Sequence, residues 1–553
     1  MKKFLLITLA VVAVVIIGVL VYLKTRKLSD FEPAIKARLQ LLVANATDSL
    51  YRLDFDTLDA DVLTSTITVA GVRLQADSMV MQRMKAKGDL PANIFNIAVD
   101  TLRVTGIDIR DFLSNKKINL DSLYINHPNV AIYHTPHTQA PVKRNVNITS
   151  LYDKMARQLN RLSITKLRVS NMHLEHHNAG RGKKLSLDRV NIDFDDILMD
   201  STTARDTTRF LFAKNAVASL GTLQVPTADS LYYISLDSLS LNAVQNTAAI
   251  QRIKVRPRYN RQAFVNRLSH QKDMYDITFN NIDLQNIGWN SLLTGDSVVM
   301  DTINIGSGKV DIFTDRSLPA PPSKLGHYPQ QLLMKDSLPI NIRCIKLHGI
   351  DVWYTEFNPR SGHTGKVVFD NVYATATNVT NNKSIIDASN FITVNARAMF
   401  MGTAKARAIF KFNLAAAKRG LFTVSASLGS MDATKLNAIT RPLGRFGIQK
   451  GNIEALTAFV RGNNYQATGS VTFLYNNLKI ELVKNNDDST SFKKRGLLSF
   501  IANTFVIKSA NPGNNSEART EQCSHDRDVT KSFFNLVWKT VEDGIKKTAG
   551  YKK

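Results

Sequence analysis

The stretch Leu120-Asp121-Ser122-Leu123-Tyr124-Ile125-Asn126-His127-Pro128-Asn129-Val130-Ala131-Ile132-Tyr133-His134 alternates apolar and polar residues on both sides of a short polar break. Leu123 and Ile125 share one face of an extended segment, Asn126 to Asn129 carry turn chemistry, and Val130 and Ile132 share one face of a second segment. The spacing predicts a β-hairpin. The same order, an apolar residue followed three and five positions later by two more, begins at Phe55, Val99, Leu120, Ile164, Leu187, Leu220, Leu236, Phe279, Met300, Ile342 and Phe369. In several copies an acid follows the first apolar residue directly, as Asp100, Asp121, Asp188, Asp237, Asp301 and Asp370. Starts lie 16 to 44 residues apart, which suits a hairpin-sized module with insertions.

Further copies pair Leu102 and Val104 with Ile107 and Ile109, Leu167 and Val169 with Met172 and Leu174, and Ile303 and Ile305 with Val310 and Ile312. Ile345 and Leu347 pair likewise with Ile350 and Val352. Each copy holds a Gly or Asn between its two runs, read as a turn. The expected fold is mainly β: an elongated, curled antiparallel sheet of repeated hairpins, groove-like, with few short helices. Burying one Leu, Ile or Val is worth about 1.5 to 3 kcal/mol, and the helices are too few to cover so many apolar strand faces. Those faces meet a second sheet, fold on themselves, or meet something that is not protein. The candidate lipid-groove residues are Leu102, Val104, Ile107, Ile109, Leu123, Ile125, Val130, Ile132, Leu167, Val169, Ile303, Ile305, Ile345 and Leu347.

The chain divides by texture. Residues 1–27 read as a signal anchor: Met1-Lys2-Lys3 precedes an uncharged run from Phe4 to Leu23, about 30 Å as a helix. Phe4, Leu5, Leu6, Ile7, Val14, Val15, Ile16, Ile17, Leu20 and Leu23 would carry it through the hydrocarbon. Its exit, Val21-Tyr22-Leu23, lacks the small residues of a cleavage site, so the anchor is expected to stay uncleaved. Basic residues on the two flanks nearly balance and leave the orientation open. Residues 28–50 read as a connecting helix, and 51–396 as the repeated β region.

Three interruptions fall within that region: a loop at 135–148, a short amphipathic helix at 151–159, and a Pro-rich insertion near 316–339. Its prolines, 319, 321, 322, 329 and 339, forbid a regular ladder and predict a linker or edge cover that divides the sheet. Residues 397–553 hold longer alternating strands and end in a helix over Asp528 to Lys547. Phe533, Phe534, Val537, Trp538, Val541 and Ile545 are expected on one face of that helix, with Lys531, Lys539, Lys546 and Lys547 around it. It either caps the sheet or lies on an anionic membrane.

A formal net charge of +25 favours anionic surfaces such as phospholipid, lipopolysaccharide phosphate, acidic polymer or nucleic acid, or else keeps a β-rich chain soluble. The two cysteines, Cys344 and Cys523, encode no disulfide framework. No catalytic motif is present. Gly306-Ser307-Gly308-Lys309 lacks the first glycine and the hydroxyl residue of a phosphate loop and reads as a hairpin turn. His173-Leu174-Glu175-His176-His177 lacks zinc-protease spacing, and His127, His134 and His137 read as turn and surface residues. The expectation is no enzyme, no cofactor and no metal.

The anchor, the helix and the run from Tyr51 to Leu74 (YRLDFDTLDADVLTSTITVAGVRL) resemble the opening of AsmA-like bacterial envelope proteins. Gly469 to Ile480 (GSVTFLYNNLKI) and the aromatic-basic terminal helix are similar to that family's carboxy-terminal region. The resemblance implies inner-membrane anchoring with the bulk of the chain in the periplasm. It also implies a β-groove that binds acyl chains of phospholipid or other anionic lipid, a role in lipid transport and outer-membrane biogenesis, and an envelope protein partner. Two other readings stand beside it: an envelope scaffold or regulatory adaptor with a closed β core and no lipid cargo, and a cytosol-facing nucleic-acid binder, ranked last. Nucleic acid is not an expected partner.

Overall fold

The computed structural model describes residues 32–61, 63–91, 93–107, 115–134, 160–178, 183–203, 206, 208–444, 446–484, 493–494, 508–513 and 517–550. The chain is mainly β, with long strands joined in hairpins into mixed sheet. It divides into two compact units, one of residues 1–225 with 236–249, the other of 226–235 with 250–553.

In the first unit, helix α1 (Glu32–Ala46) buries Leu39 and Val43. It is tied down by Lys36, whose Nζ lies 2.5 Å from the Asp54 carboxylate and 2.7 Å from the Phe55 carbonyl. The strands are β1 (Tyr51–Asp54), β2 (Thr57–Asp61), β3 (Thr66–Ala76), β4 (Asn93–Thr105), β5 (Lys117–Asn126), β6 (Asn129–His134), β7 (Arg161–Asn178), β8 (Lys183–Met199) and β9 (Ala213–Pro226). β1 and β2 both pair with β3, which pairs with β4; β7, β8 and β9 follow as antiparallel neighbours.

The opening stretch is not a hairpin. β5 and β6 lie end to end along the same two neighbours, antiparallel to β4 and parallel to β7. The chain therefore runs straight through Asn126 to Asn129 with a local break at His127, where φ is +46°. The copy at 102–109 differs, since β4 ends at Thr105, before Gly106, but the copy at 167–174 behaves like the opening stretch. Leu167 to Leu174 lies within β7, with a register shift at Asn171 (φ +53°). A left-handed Asn or Gly suits a G1-type bulge as well as a hairpin turn, and here it makes bulges. The hairpin turns fall instead at strand ends.

These irregularities line up from strand to strand. The break between β1 and β2 lies beside Gly71, where an added Cβ would fall 1.9 Å from Asp56 Oδ2. On the neighbouring strands follow His127 with Asp100 at 3.7 Å, then Asn171, whose N–H donates to Asn191 Oδ1 at 2.9 Å. Asp100, one of the recurring acids, thus stands beside such an irregularity, whereas Asp301 pairs with Arg343.

The second unit contains β12 (Met274–Gln285), β13 (Val298–Asp315), β14 (Ile340–Asn358), β15 (His363–Thr380), β16 (Phe391–Phe400), β17 (Ala404–Asn413), β18 (Phe422–Leu428), β19 (Met431–Asp432), β20 (Phe446–Gly462), β21 (Gln466–Lys484), β22 (Lys493–Lys494) and β23 (Thr520–Asp526). The intervening strands β10 (Tyr232–Asn242) and β11 (Thr247–Pro257) are shared by both units. Neighbours run β12, β13, β14, β15, β16, β17, β18, β20, β21, β23.

β13 and β14 are parallel, so the sheet is mixed where a wholly antiparallel one was expected. The reason is chain length between strands. Parallel neighbours need a crossover of a dozen or more residues, and the insertions at 135–160 and 316–339 supply it for β7 and β14. The Pro-rich segment therefore does not divide the sheet, which continues from β13 into β14. Gly306 to Lys309 lies within β13 and is no turn; a Cβ on Gly308 would meet the Thr278 carbonyl at 2.3 Å, so close strand approach explains the glycine.

Helix α2 (Pro329–Lys335) lies in the crossover, and the terminal helix α3 (Phe533–Thr548) packs against β20, β21 and β23. Its buried residues are Phe533, Leu536, Thr540, Val541, Gly544 and Thr548. Phe534 and Trp538, expected on the buried face, are 65% and 53% exposed. Small residues decide this: Thr540 and Thr548 turn their hydroxyls back to the Leu536 and Gly544 carbonyls, each at 2.9 Å, and let the helix come close to the sheet.

Among the described residues no helix is long and apolar enough to cross a membrane. The anchor residues 4–23, Ile109, His137 and the helix expected at 151–159 lie outside the described residues.

Candidate apolar cleft

Residues directly opposite on neighbouring strands share one face of a sheet, and in the second unit two apolar rows cross the strands in this way. One runs Leu284, Ile303, Ile345, Ala376, Val394, Phe410, Val424, Val460. The other runs Ile282, Ile305, Leu347, Ala374, Ala396, Ala408, Ala426, Ala458. The alanines make the second row shallow.

Burial changes along the first row. Val424 and Val460 are closed off, whereas Ile303, Ile345, Val394 and Phe410 are half-buried, as are Ile305 and Leu347 in the second row. Phe533 anchors the closed end, with its ring centroid 4.7 Å from Phe422, 5.2 Å from Phe412 and 5.4 Å from Tyr328.

Between the closed and half-open parts lies a cleft of about 510 Å³, lined by Pro329, Leu332, Leu333, Asp336, Ile340, Val379, Ile392, Val394, Phe410, Phe412 and Phe534. Asp336 is the charged member of this lining, and Leu332 and Phe534 stand exposed at 53% and 65%. The wall formed by α2 is held rigidly. Gln331 accepts the Tyr328 N–H at 3.1 Å and donates to the Ala417 carbonyl and to Asn464 Oδ1, both at 2.9 Å. Tyr328 donates to the Asn463 carbonyl at 3.0 Å, and the Arg527 guanidinium lies 4.3 Å from the centre of its ring. Such a cleft offers dispersion and desolvation, with little directional bonding.

The residues singled out from sequence separate into two groups. Leu102, Val104, Leu123, Ile125, Val130, Leu167 and Val169 are core residues of the first unit, none more than 8% exposed. All but Val130 form cross-strand rows of their own, Val104–Leu123–Leu167–Phe194 and Leu102–Ile125–Val169–Ile192, while Val130 lies between Ile97 and Leu174. Ile107, Ile132, Ile303, Ile305, Ile345 and Leu347 are half-buried. Sequence reasoning missed Val394, Phe410, Leu332, Leu333 and the alanine row. The available signal was alanine at alternate positions of successive strands, as in Ala396, Ala398, Ala406 and Ala408.

The histidines sit elsewhere. His173 Nε2 and His177 Nε2 lie 3.1 and 2.9 Å from the two oxygens of Glu175, and His173 Nδ1 bonds Asp188. The Glu175 carboxylate, followed by Asp188, raises the His173 pKa above its ordinary value. The His177 ring stacks on Tyr133 at 4.7 Å. Among the described residues no group of His, Cys, Asp and Glu is arranged to hold a metal ion. Cys344 and Cys523 are buried free thiols, and burial pushes Cys523 up to about 11.

Comparison with protein-family models and with curated proteins finds no match for this chain.

Proposed function

We propose that this chain is an AsmA-like, inner-membrane-anchored envelope protein whose bulk lies in the periplasm and whose apolar face holds lipid acyl chains on their way between membranes. The observation that carries the reading is the half-open pair of rows from Ile303 and Ile305 to Phe410, leading to a cleft whose lining is almost wholly apolar. Each methylene transferred from water to such a surface contributes about 0.8 kcal/mol, so a chain can be held without a headgroup-specific site. The run from Phe4 to Leu23 supplies the anchor.

The test is photo-crosslinking of the full chain to a phospholipid with a diazirine on its acyl tail. V394E and F410E, which place carboxylates in the cleft, are expected to abolish crosslinking while L102A, in the first-unit core, leaves it. Equal crosslinking by wild type and both Glu variants, with circular dichroism unchanged, overturns the reading.

A scaffold without cargo is favoured by a different observation, the full burial of Leu102, Val104, Leu123 and Ile125. Mass spectrometry of the purified chain separates the two: co-purifying phospholipid supports a carrier, and its absence supports the scaffold.

A further inference from the structure

We propose that the outer face of β16, β17, β18 and β20 docks on the headgroup layer of an anionic phospholipid bilayer. This face carries Arg397, Lys405, Arg407, Lys411 and Arg461, all exposed. They share it because the pairing sets Arg397 against Arg407 and Met399 against Lys405, and sets Lys411, Thr423 and Arg461 in one row. The remaining positions of that face on β16, β17 and β18 are Thr, Ser, Asn, Met, Ile and Phe, and its one carboxylate on β20 is the exposed Glu454.

Among the described residues none of the five cations makes an ion pair; Arg397 lies instead over the Tyr373 ring, 4.7 Å from its centre. Of the acids around the cations, Glu454 accepts from Asn476, and Asp370 opposite Met399 and Asp526 opposite Gln466 stand at the borders. Like charges directly opposite one another weaken a sheet. The Arg397–Arg407 pair therefore carries a cost that the Tyr373 ring offsets in part and that no ion pair among the described residues offsets, and an external anion would do so.

The choice of a bilayer over a polynucleotide rests on the row between the cations. There Ile409 and Phe459 flank Ser425, and they are 42% and 45% exposed. An aliphatic tip beside a ring suits the boundary between phosphates and acyl chains, whereas a base-stacking platform needs rings and gains nothing from isoleucine. Strand alternation points Ile409 away from the face that carries Phe410, so the inference stands whether or not the cleft holds an acyl chain.

The full chain reconstituted in phosphatidylcholine vesicles is mixed with a second, dye-loaded population, and capture is measured by flotation. Vesicles containing phosphatidylglycerol are expected to be captured and pure phosphatidylcholine vesicles not, with capture falling as salt screens the face. R397Q/R407Q is expected to weaken capture about thirtyfold, at the usual gain per basic residue beside an anionic surface, while R397K/R407K retains it. Acyl crosslinking in the cleft is expected to be unaffected in both, which separates this result from the fate of the functional reading. Equal capture of neutral vesicles, capture unchanged by R397Q/R407Q, or displacement of phosphatidylglycerol vesicles by equimolar duplex DNA overturns the proposal.

Discussion

Gly544 of the terminal helix faces Val471 of β21 so closely that an added Cβ would lie 2.5 Å from Val471 Cγ2, with Cys523 Cβ at 3.3 Å. The helix can approach this far because three of its inward residues are Gly544, Thr540 and Thr548. G544A is expected to push it off the sheet at a cost of about 1 to 3 kcal/mol, the usual range for overpacking. Hydrogen exchange over 533–548 and β23 reads the effect, and protection equal to wild type would refute it.

The bulge at Asn371 (φ +51°) is held by its N–H donating to Asp351 Oδ1 at 3.0 Å. N371G is expected to be tolerated, because glycine adopts this backbone freely. N371V forces a β-branched residue into the left-handed region and is expected to cost about 1 to 2 kcal/mol. With two compact units a single unfolding free energy is poorly defined, so local exchange rates in β14 and β15 are the measurement. Equal rates in the two variants would count against the bulge.

His173 gives the first unit a pH dependence of known sign. Glu175 and then Asp188 raise its folded pKa above 6.5. Its contribution to stability is complete below that unfolded value and is lost as pH rises through the higher folded one. Thermal melts of wild type are expected to fall on passing upward through this window, and H173Q is expected to lose that component. Identical profiles would show that another group is responsible.

The period-two alternation was legible because it is local: each strand shows its apolar face in its own residues. Whether Asn171 or Gly349 ends a strand or bulges it was not, since a left-handed residue has the same local chemistry in both settings and only the neighbouring strand distinguishes them. The parallel pairs were hidden for a related reason. The insertions at 135–160 and 316–339 were visible as interruptions, yet their role as crossovers depends on which strand pairs next. The terminal helix misled through its large side chains, because Gly544, Thr540 and Thr548 set its inner face. The cleft was missed because alanine and scattered aromatics carry it, while Leu, Ile and Val drew attention to the first-unit core.

The aligned bulges work like a shared reading frame. In the second unit Gly306 abuts Asn281, and β14 and β15 carry their own irregularities at Gly349 and Asn371. Each strand thus spends its extra residue beside its neighbour's, and the ladders resume in step beyond. Deleting Asn371 alone would shift one end of β15 by a single position and exchange its two faces there, setting Ala374 and Ala376 against polar neighbours. Single-residue insertions and deletions within these strands are therefore tolerated only when the adjoining strands change with them, which ties the lengths of distant parts of the chain together.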